Sequence, residues 1–179
     1  MGIAAQRGRR CTEHSEGAPK PTLDQIAQWV VFSLDAGRYA LPLHSVERIV
    51  RAVHVTSLPQ APAVVLGAID VAGQVLPVFN VRQRFGLPQR AITMSDQFLI
   101  ARTTERTVVL AIDTASGVLE RPAAAMIDVN SLAPGLAHIR GVFAVADDLV
   151  LIHDLEAFLS ADEVQALDAA LNPAAARAR

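Results

Sequence analysis

A chain of 179 residues has room for one ordinary domain, or for two small lobes sharing a core, and not for two large domains. Apolar residues make up 51% and charged residues 19%, enough burial to offset the entropy of ordering, so wholesale disorder is excluded. A formal net charge of -2 and an aromatic share of 4% supply neither a positive field nor a platform of rings, which argues against nucleic acid as a partner.

Residues Met1 to Ile26 are expected to form a flexible tail of mixed polar, Gly and Pro composition. Arg9 and Arg10 have the look of a twin-arginine export signal, but Cys11, Thr12, Glu13, His14 and Ser15 stand where its apolar stretch should begin. Cys11 is the only cysteine, so an internal disulfide is impossible and a reducing, cytoplasmic setting is expected. No apolar run approaches the roughly 20 residues of a membrane-spanning helix, so direct membrane insertion is not expected.

The first ordered element is predicted at Trp29 to Leu34, where apolar groups occupy both faces of a strand and imply cover on two sides. Asp35, Ala36 and Gly37 turn the chain into a second strand, Arg38 to Leu43. From about Ser45, Val46, Ile49 and Val50 stand at i, i+3, i+4 spacing with Glu47, Arg48 and Arg51 opposite, which predicts a short helix. His54 to Leu58 reads as a further strand, closed by Pro59.

Gly67 to Val81 carries the clearest pattern: two apolar arms around a reversal at Ala72 and Gly73, with Pro77 expected at a sheet edge or bulge. A helical turn, Arg82 to Phe85, follows and Gly86 is placed to end it. Beyond a polar linker, Arg90 to Asp96, strands are predicted at Gln97–Arg102, Thr107–Ile112 and Gly117–Glu120, then a crossing loop from Arg121 to Gly135.

The Gly67 pattern returns at Gly141 without gaps. Ile69 aligns with Phe143, Val71 with Val145, Ala72 with Ala146, Val75 with Leu149, Val78 with Ile152 and Asn80 with Asp154. Such a repeat, with short strands and no long crossover helix, predicts a mainly β protein of two small five-stranded antiparallel barrel lobes. Ser160 and Glu163 form a capping box for a C-terminal helix carrying Val164, Leu167 and Leu171, and Asn172 and Pro173 stop it before a frayed tail at 172–179.

The stretch from Gly67 through Ala72-Gly73 to Pro77-Val78-Phe79-Asn80-Val81 resembles the signature of CheW domains, in which the turn reads leucine-arginine-glycine and proline-valine-x-aspartate-leucine follows. Phe32, Tyr39 to Leu41, Val46-Glu47-Arg48-Ile49, Leu58-Pro59 and Gly117-Val118-Leu119 agree in order, so the resemblance covers about Trp29 to Leu171 and a domain is expected at 27–171. It implies a non-catalytic chemotaxis scaffold coupling a methyl-accepting chemotaxis receptor to a CheA-type histidine kinase. Related domains also serve as adaptors of type IV pilus and other chemosensory-like pathways.

By the same resemblance, the protein-binding residues are Val46, Arg48, Ile49, Gly67 and Ala72. Two positions depart from the family: Ala72 replaces the turn arginine, which removes a group suited to pairing with a carboxylate, and Asn80 replaces the aspartate. On spacing alone, Val46 and Ile49 face either a partner or the barrel, and Gly67 serves either as a contact point or as a turn position with positive φ.

A small β-barrel enzyme is the weakest reading. The five histidines share no metal-ligand spacing, and neither a phosphate-binding glycine loop with its lysine nor a nucleophile elbow is present. No metal and no cofactor are expected. Asp70 and Asp113 remain a conceivable carboxylate pair.

Overall fold

The computed structural model describes residues 26–128, 138–146 and 148–171. The predicted tails, apart from Ile26, and residues 129–135 of the predicted crossing loop therefore lie outside the described residues; the loop's first part, Arg121 to Asp128, instead ends one strand at Pro122 and holds a 3-10 turn, Ala123–Ala125, and a short strand, Ile127–Asp128. In chain order the elements are β1 (Ile26–Leu34), β2 (Gly37–Pro42), β3 (Val46–Arg51), β4 (Val65–Val71), β5 (Gln74–Phe79), α1 (Val81–Arg84), β6 (Gln97–Arg102) and β7 (Thr107–Ile112). There follow β8 (Thr114–Pro122), β9 (Ile127–Asp128), β10 (Ile139–Val145), β11 (Asp148–His153) and α2 (Ala161–Leu171).

The strands form two sheets, one in the order β8-β1-β2-β11-β10-β9 and the other β3-β6-β7-β5-β4. Mainly β architecture in two lobes is as the sequence predicts, but the first sheet has six strands and neither is wholly antiparallel. β11 runs parallel to β2 and β5 parallel to β7. These two junctions are equivalent under the internal repeat, since β5 and β11 are its second arms. No ladder closes either sheet into a barrel among the described residues.

The repeat has a topological consequence. Each leading hairpin, β1–β2 or β6–β7, sends its next strand to the other sheet: β3 pairs with β6, and β8 pairs with β1. The lobes are thus laced together by reciprocal exchange. Packing follows from the strand period. Val30, Phe32 and Leu34 of β1 join Leu99, Leu110 and Ile112 in a core shared by both sheets, whereas Trp29 and Val31 pack with Phe143 and Ile152 inside the first lobe. Phe98 and Ile100 likewise turn into the second lobe with Ile69, Leu76 and Val78. The double-faced cover expected for β1 is present.

The predicted helix at Ser45 is corrected: Leu43–Ser45 is a single 3-10 turn and Val46–Arg51 is strand β3. The helical spacing has a different cause. A bulge between Val46 and Arg48 lets Val46 oppose Ala101 and Ile49 oppose Leu99, so residues three apart share one face, while Val50 opposes Phe98 on the other. Three β-branched residues within five positions also favour the strand. His54–Leu58 is no strand either; only Thr56 bridges, to Ala68.

Pro77 lies in an interior strand, and the ladder explains how it is accommodated. The N–H and C=O of Ala68, which faces Pro77, both bond to Thr56, so the Ala68–Pro77 position is a non-hydrogen-bonded one. The missing Pro77 donor points toward β7, and that ladder begins only at Val78. Gly86, with φ 66°, ends α1 in a Schellman motif: Leu87 N–H donates to Arg82 O at 2.9 Å and Gly86 N–H to Gln83 O at 3.2 Å. The capping box of α2 is reciprocal, Ser160 N–H donating to Glu163 Oε2 and Glu163 N–H to Ser160 Oγ.

Candidate docking surface

β3 is the edge of its sheet and carries three of the predicted binding residues. Val46 is partly buried against the shared core. Ile49, on the same face but nearer the rim, is 36% exposed and belongs to no core cluster, so the two residues split between the readings that spacing left open. Arg48 is exposed and makes no ion pair among the described residues. Its neighbour Glu47 is held by Arg102 of β6 at 2.8 Å.

Gly67 is buried, so its backbone is not available as a surface contact. A Cβ there would lie 2.2 Å from Thr56 O, and φ is 148°; both require glycine. Ala72 is exposed at the β4–β5 turn with φ 54°, followed by Gly73 at 84°, the paired positive φ of a type I′ turn. Asp70 accepts the Gly73 N–H at 2.7 Å and is thereby a turn residue. It is not paired with Asp113, which is engaged elsewhere. Asn80 accepts the Gln83 N–H as N-cap of α1, a role aspartate fills equally, so this departure preserves the local structure.

The strongest electrostatic feature went unread in the sequence. Arg82, almost fully buried, donates to both carboxylate oxygens of Asp35 at 2.8 and 2.9 Å and to Asp113 at 2.7 Å. Arg90 donates to both oxygens of Asp96 at 2.7 Å and to Asp113 at 2.6 Å. Hydrogen bonds to Asp35 raise the Arg82 pKa, and those from Arg90 lower that of Asp96. Burial pushes Asp113 upward, but its bonds from Arg82 and the Asp35 N–H outweigh that and hold it low. The cluster fastens the first turn of one lobe to α1 and the β7–β8 crossing of the other. The residues read as a polar linker, Arg90 to Asp96, are the second half of this latch.

Beyond the C-terminal end of α1, His153 is buried among Phe85, Phe158 and His138, with ring centroids at 4.6, 5.4 and 6.4 Å. Its Nδ1 contacts Asp154 O at 3.1 Å and its Nε2 has no hydrogen-bond partner. Burial lowers its pKa to about 4, so it is neutral at pH 7. Among the described residues, no group of three or more His, Cys, Asp or Glu is placed to hold a metal, and no helix is long and apolar enough to cross a membrane.

Two laced β lobes, an exposed aliphatic on an edge strand, and polar clusters spent on internal bonding define a protein-docking module by class. The family model described as "CheW-like domain" matches residues 28–163, and the chain belongs to that family. A "Chemotaxis protein CheW" of Treponema pallidum is 26% identical over 165 residues, covering 87% of this chain and 95% of the relative. The "Chemotaxis protein CheW" of Helicobacter pylori is 27% identical over 58% of this chain and 63% of its own length. The crystal structure of "scaffolding protein TtCheW" from Thermoanaerobacter tengcongensis superposes with a TM-score of 0.70 at 22% identity, over 76% of this chain and 94% of that one, which shows the shared fold.

Proposed function

We propose that this chain is a non-catalytic scaffold of a chemotaxis signalling array, lying in the cytoplasm and coupling a methyl-accepting chemotaxis receptor to a CheA-type histidine kinase. The observation that carries the reading is the family match along residues 28–163, joined by a chemotaxis relative that the chain spans almost end to end. The working unit is the domain at 27–171, flanked by short tails.

The kinase docks on the β3 edge. Ile49 supplies an aliphatic group for the desolvated centre, Arg48 an exposed cation at the rim, and Val46 anchors the strand from below. Gly67 and Ala72 act at one remove: Gly67 fixes the close crossing of Thr56, and Ala72 shapes the hairpin tip. Calorimetric titration with the regulatory domain of a CheA-type kinase tests the reading. Micromolar binding is expected, and silence up to about 1 mM contradicts it.

One observation favours a second reading, an adaptor of a type IV pilus or another chemosensory-like pathway. The β4–β5 tip presents the methyl group of Ala72 where the family presents a guanidinium, so a partner carboxylate would meet no counter-charge there. Preference for a pilus-associated kinase over a flagellar one, measured side by side, decides between the two.

A further inference from the structure

The edge that carries Ile49 has a counterpart in the first lobe, and the two differ in one charge. β8 lies on β1 as β3 lies on β6, each with one extra residue bulged out, Ser116 in β8 and Glu47 in β3. Val118 opposite Val30 therefore stands where Ile49 stands opposite Leu99, and both aliphatics are exposed. Glu120 opposite Gln28 stands where Arg51 stands opposite Gln97. The register puts Arg51 on the Ile49 face of the strand, whereas Arg48 belongs to the opposite face.

The two glutamines treat these charges differently. Gln28 donates from Nε2 to Glu120 Oε1 at 2.7 Å, so the first lobe satisfies its edge charge internally. Gln97 instead turns its Oε1 to the Ala115 N–H at 2.8 Å, binding the start of β8. Glu47, the one carboxylate on β3, is held by Arg102 at 2.8 Å. Arg51 is exposed and has no hydrogen bond or ion pair among the described residues.

An exposed charge of this kind does little for the fold. Beside an apolar contact it acts on association, because charges flanking a desolvated centre select the partner and steer its approach. The chain as a whole carries a formal charge of -2, so the positive potential at this edge is local. A carboxylate arriving next to Ile49 gains a planar donor able to bond both its oxygens, with no free acid on the strand to compete. A cation arriving there meets repulsion.

We propose that the β3 edge is selective for charge: it takes a kinase surface that presents a carboxylate beside its apolar contact, and Arg51 is the residue that pairs with it. This rests on the kinase-docking reading and adds the chemistry of the partner's surface.

Calorimetric titration of the full chain with the regulatory domain of a CheA-type kinase, at about 0.05 and 0.5 M salt, tests it. Arg51→Glu weakens binding by about tenfold or more with an unchanged thermal midpoint, as expected for a side chain without partners in the fold. Arg51→Lys weakens it by less than about threefold, and Arg51→Met flattens the salt dependence. Arg48→Glu makes the same change of charge on the opposite face and costs less than about threefold. Equal losses from Arg48→Glu and Arg51→Glu would show that net charge alone matters, and overturn the proposal. Binding that is indifferent to Arg51→Glu also overturns it, while leaving the docking reading intact if Ile49→Asp still weakens the complex. Absence of wild-type binding up to about 1 mM overturns both.

Discussion

The hairpins β4–β5 and β10–β11 share a backbone plan and differ in what fastens them. Both place a glycine under a crossing segment, turn through an alanine with positive φ, 54° at Ala72 and 53° at Ala146, and lay their second arm parallel to a strand of the leading hairpin. Beyond that arm they diverge. β5 runs into α1 and the charged latch of Arg82, whereas β11 ends at neutral, buried His153 beneath the turn that leads to α2. One frame therefore carries two chemistries, a charge-neutralised anchor and a desolvated one, and they should fail under different conditions.

The largest expected difference separates the two glycines. At Gly67 a new Cβ meets backbone at 2.2 Å on top of the positive φ, so Gly67→Ala should cost about 4 kcal/mol by denaturant titration. At Gly141 the closest atom, at 2.5 Å, is the flexible Met126 Cγ, although Ile127 O follows at 2.8 Å, so Gly141→Ala should cost about half as much. Equal costs would mean that the two crossings are equally rigid.

Acid tests the anchors. The folded-state pKa of His153 lies near 4, below its ordinary 6.5, so the unfolded chain binds the proton more readily. His153 therefore has no effect above about pH 6.5 and withdraws about 3 kcal/mol of stability as pH falls from 6.5 toward 4. The titratable and charged groups facing it are His138, Asp154 and Arg84. Asp96, Asp113 and Glu163, held low by their partners, act in the same direction in a more acidic window: their stabilisation is full above their unfolded values, 3.8 for the aspartates and 4.5 for Glu163, and is lost as pH falls below them. Replacing His153 by Phe should flatten the window between pH 4 and 6.5 and leave the more acidic limb. A slope that survives His153→Phe would move the acid sensitivity elsewhere.

At neutral pH the ranking reverses toward the latch. Arg82→Met strands two carboxylates that are partly open to water, and should cost about 2 kcal/mol. The effect should be confined to Arg82; a loss below about 0.5 kcal/mol would show that water serves Asp35 and Asp113 as well as the guanidinium does. The smallest difference expected is none: Ala72→Gly and Ala146→Gly relieve the same positive φ, and each should stabilise by about 1 kcal/mol. Unequal gains would indicate that one turn is held by more than its own dihedral angles.

What was legible in the sequence was local. Turns, hairpin arms, the Gly67–Gly141 repeat and the Ser160–Glu163 box are written within a few residues each, and β6 and β7 have the predicted limits. β3 misled because a bulge gives a strand the spacing of a helix, and nothing in the sequence marks a bulge at Glu47. The latch was illegible for a different reason: Arg82 meets Asp35 and Asp113 across 47 and 31 residues, and single charged residues in loops carry no sign of such a meeting. Parallel junctions and six strands in the first sheet follow from the reciprocal exchange, a long-range choice that alternation does not encode. Of the predicted binding residues, Val46 and Ile49 share one face through the bulge, and burial, which spacing does not encode, separates them.

The central claim, that exposed apolar surface on the β3 edge is the working part, is tested most directly by Ile49→Asp. Calorimetric titration against the kinase regulatory domain should show at least a tenfold loss of affinity, while the thermal midpoint moves by no more than about 2 °C. Unchanged affinity, or a fold that collapses along with it, would contradict the account.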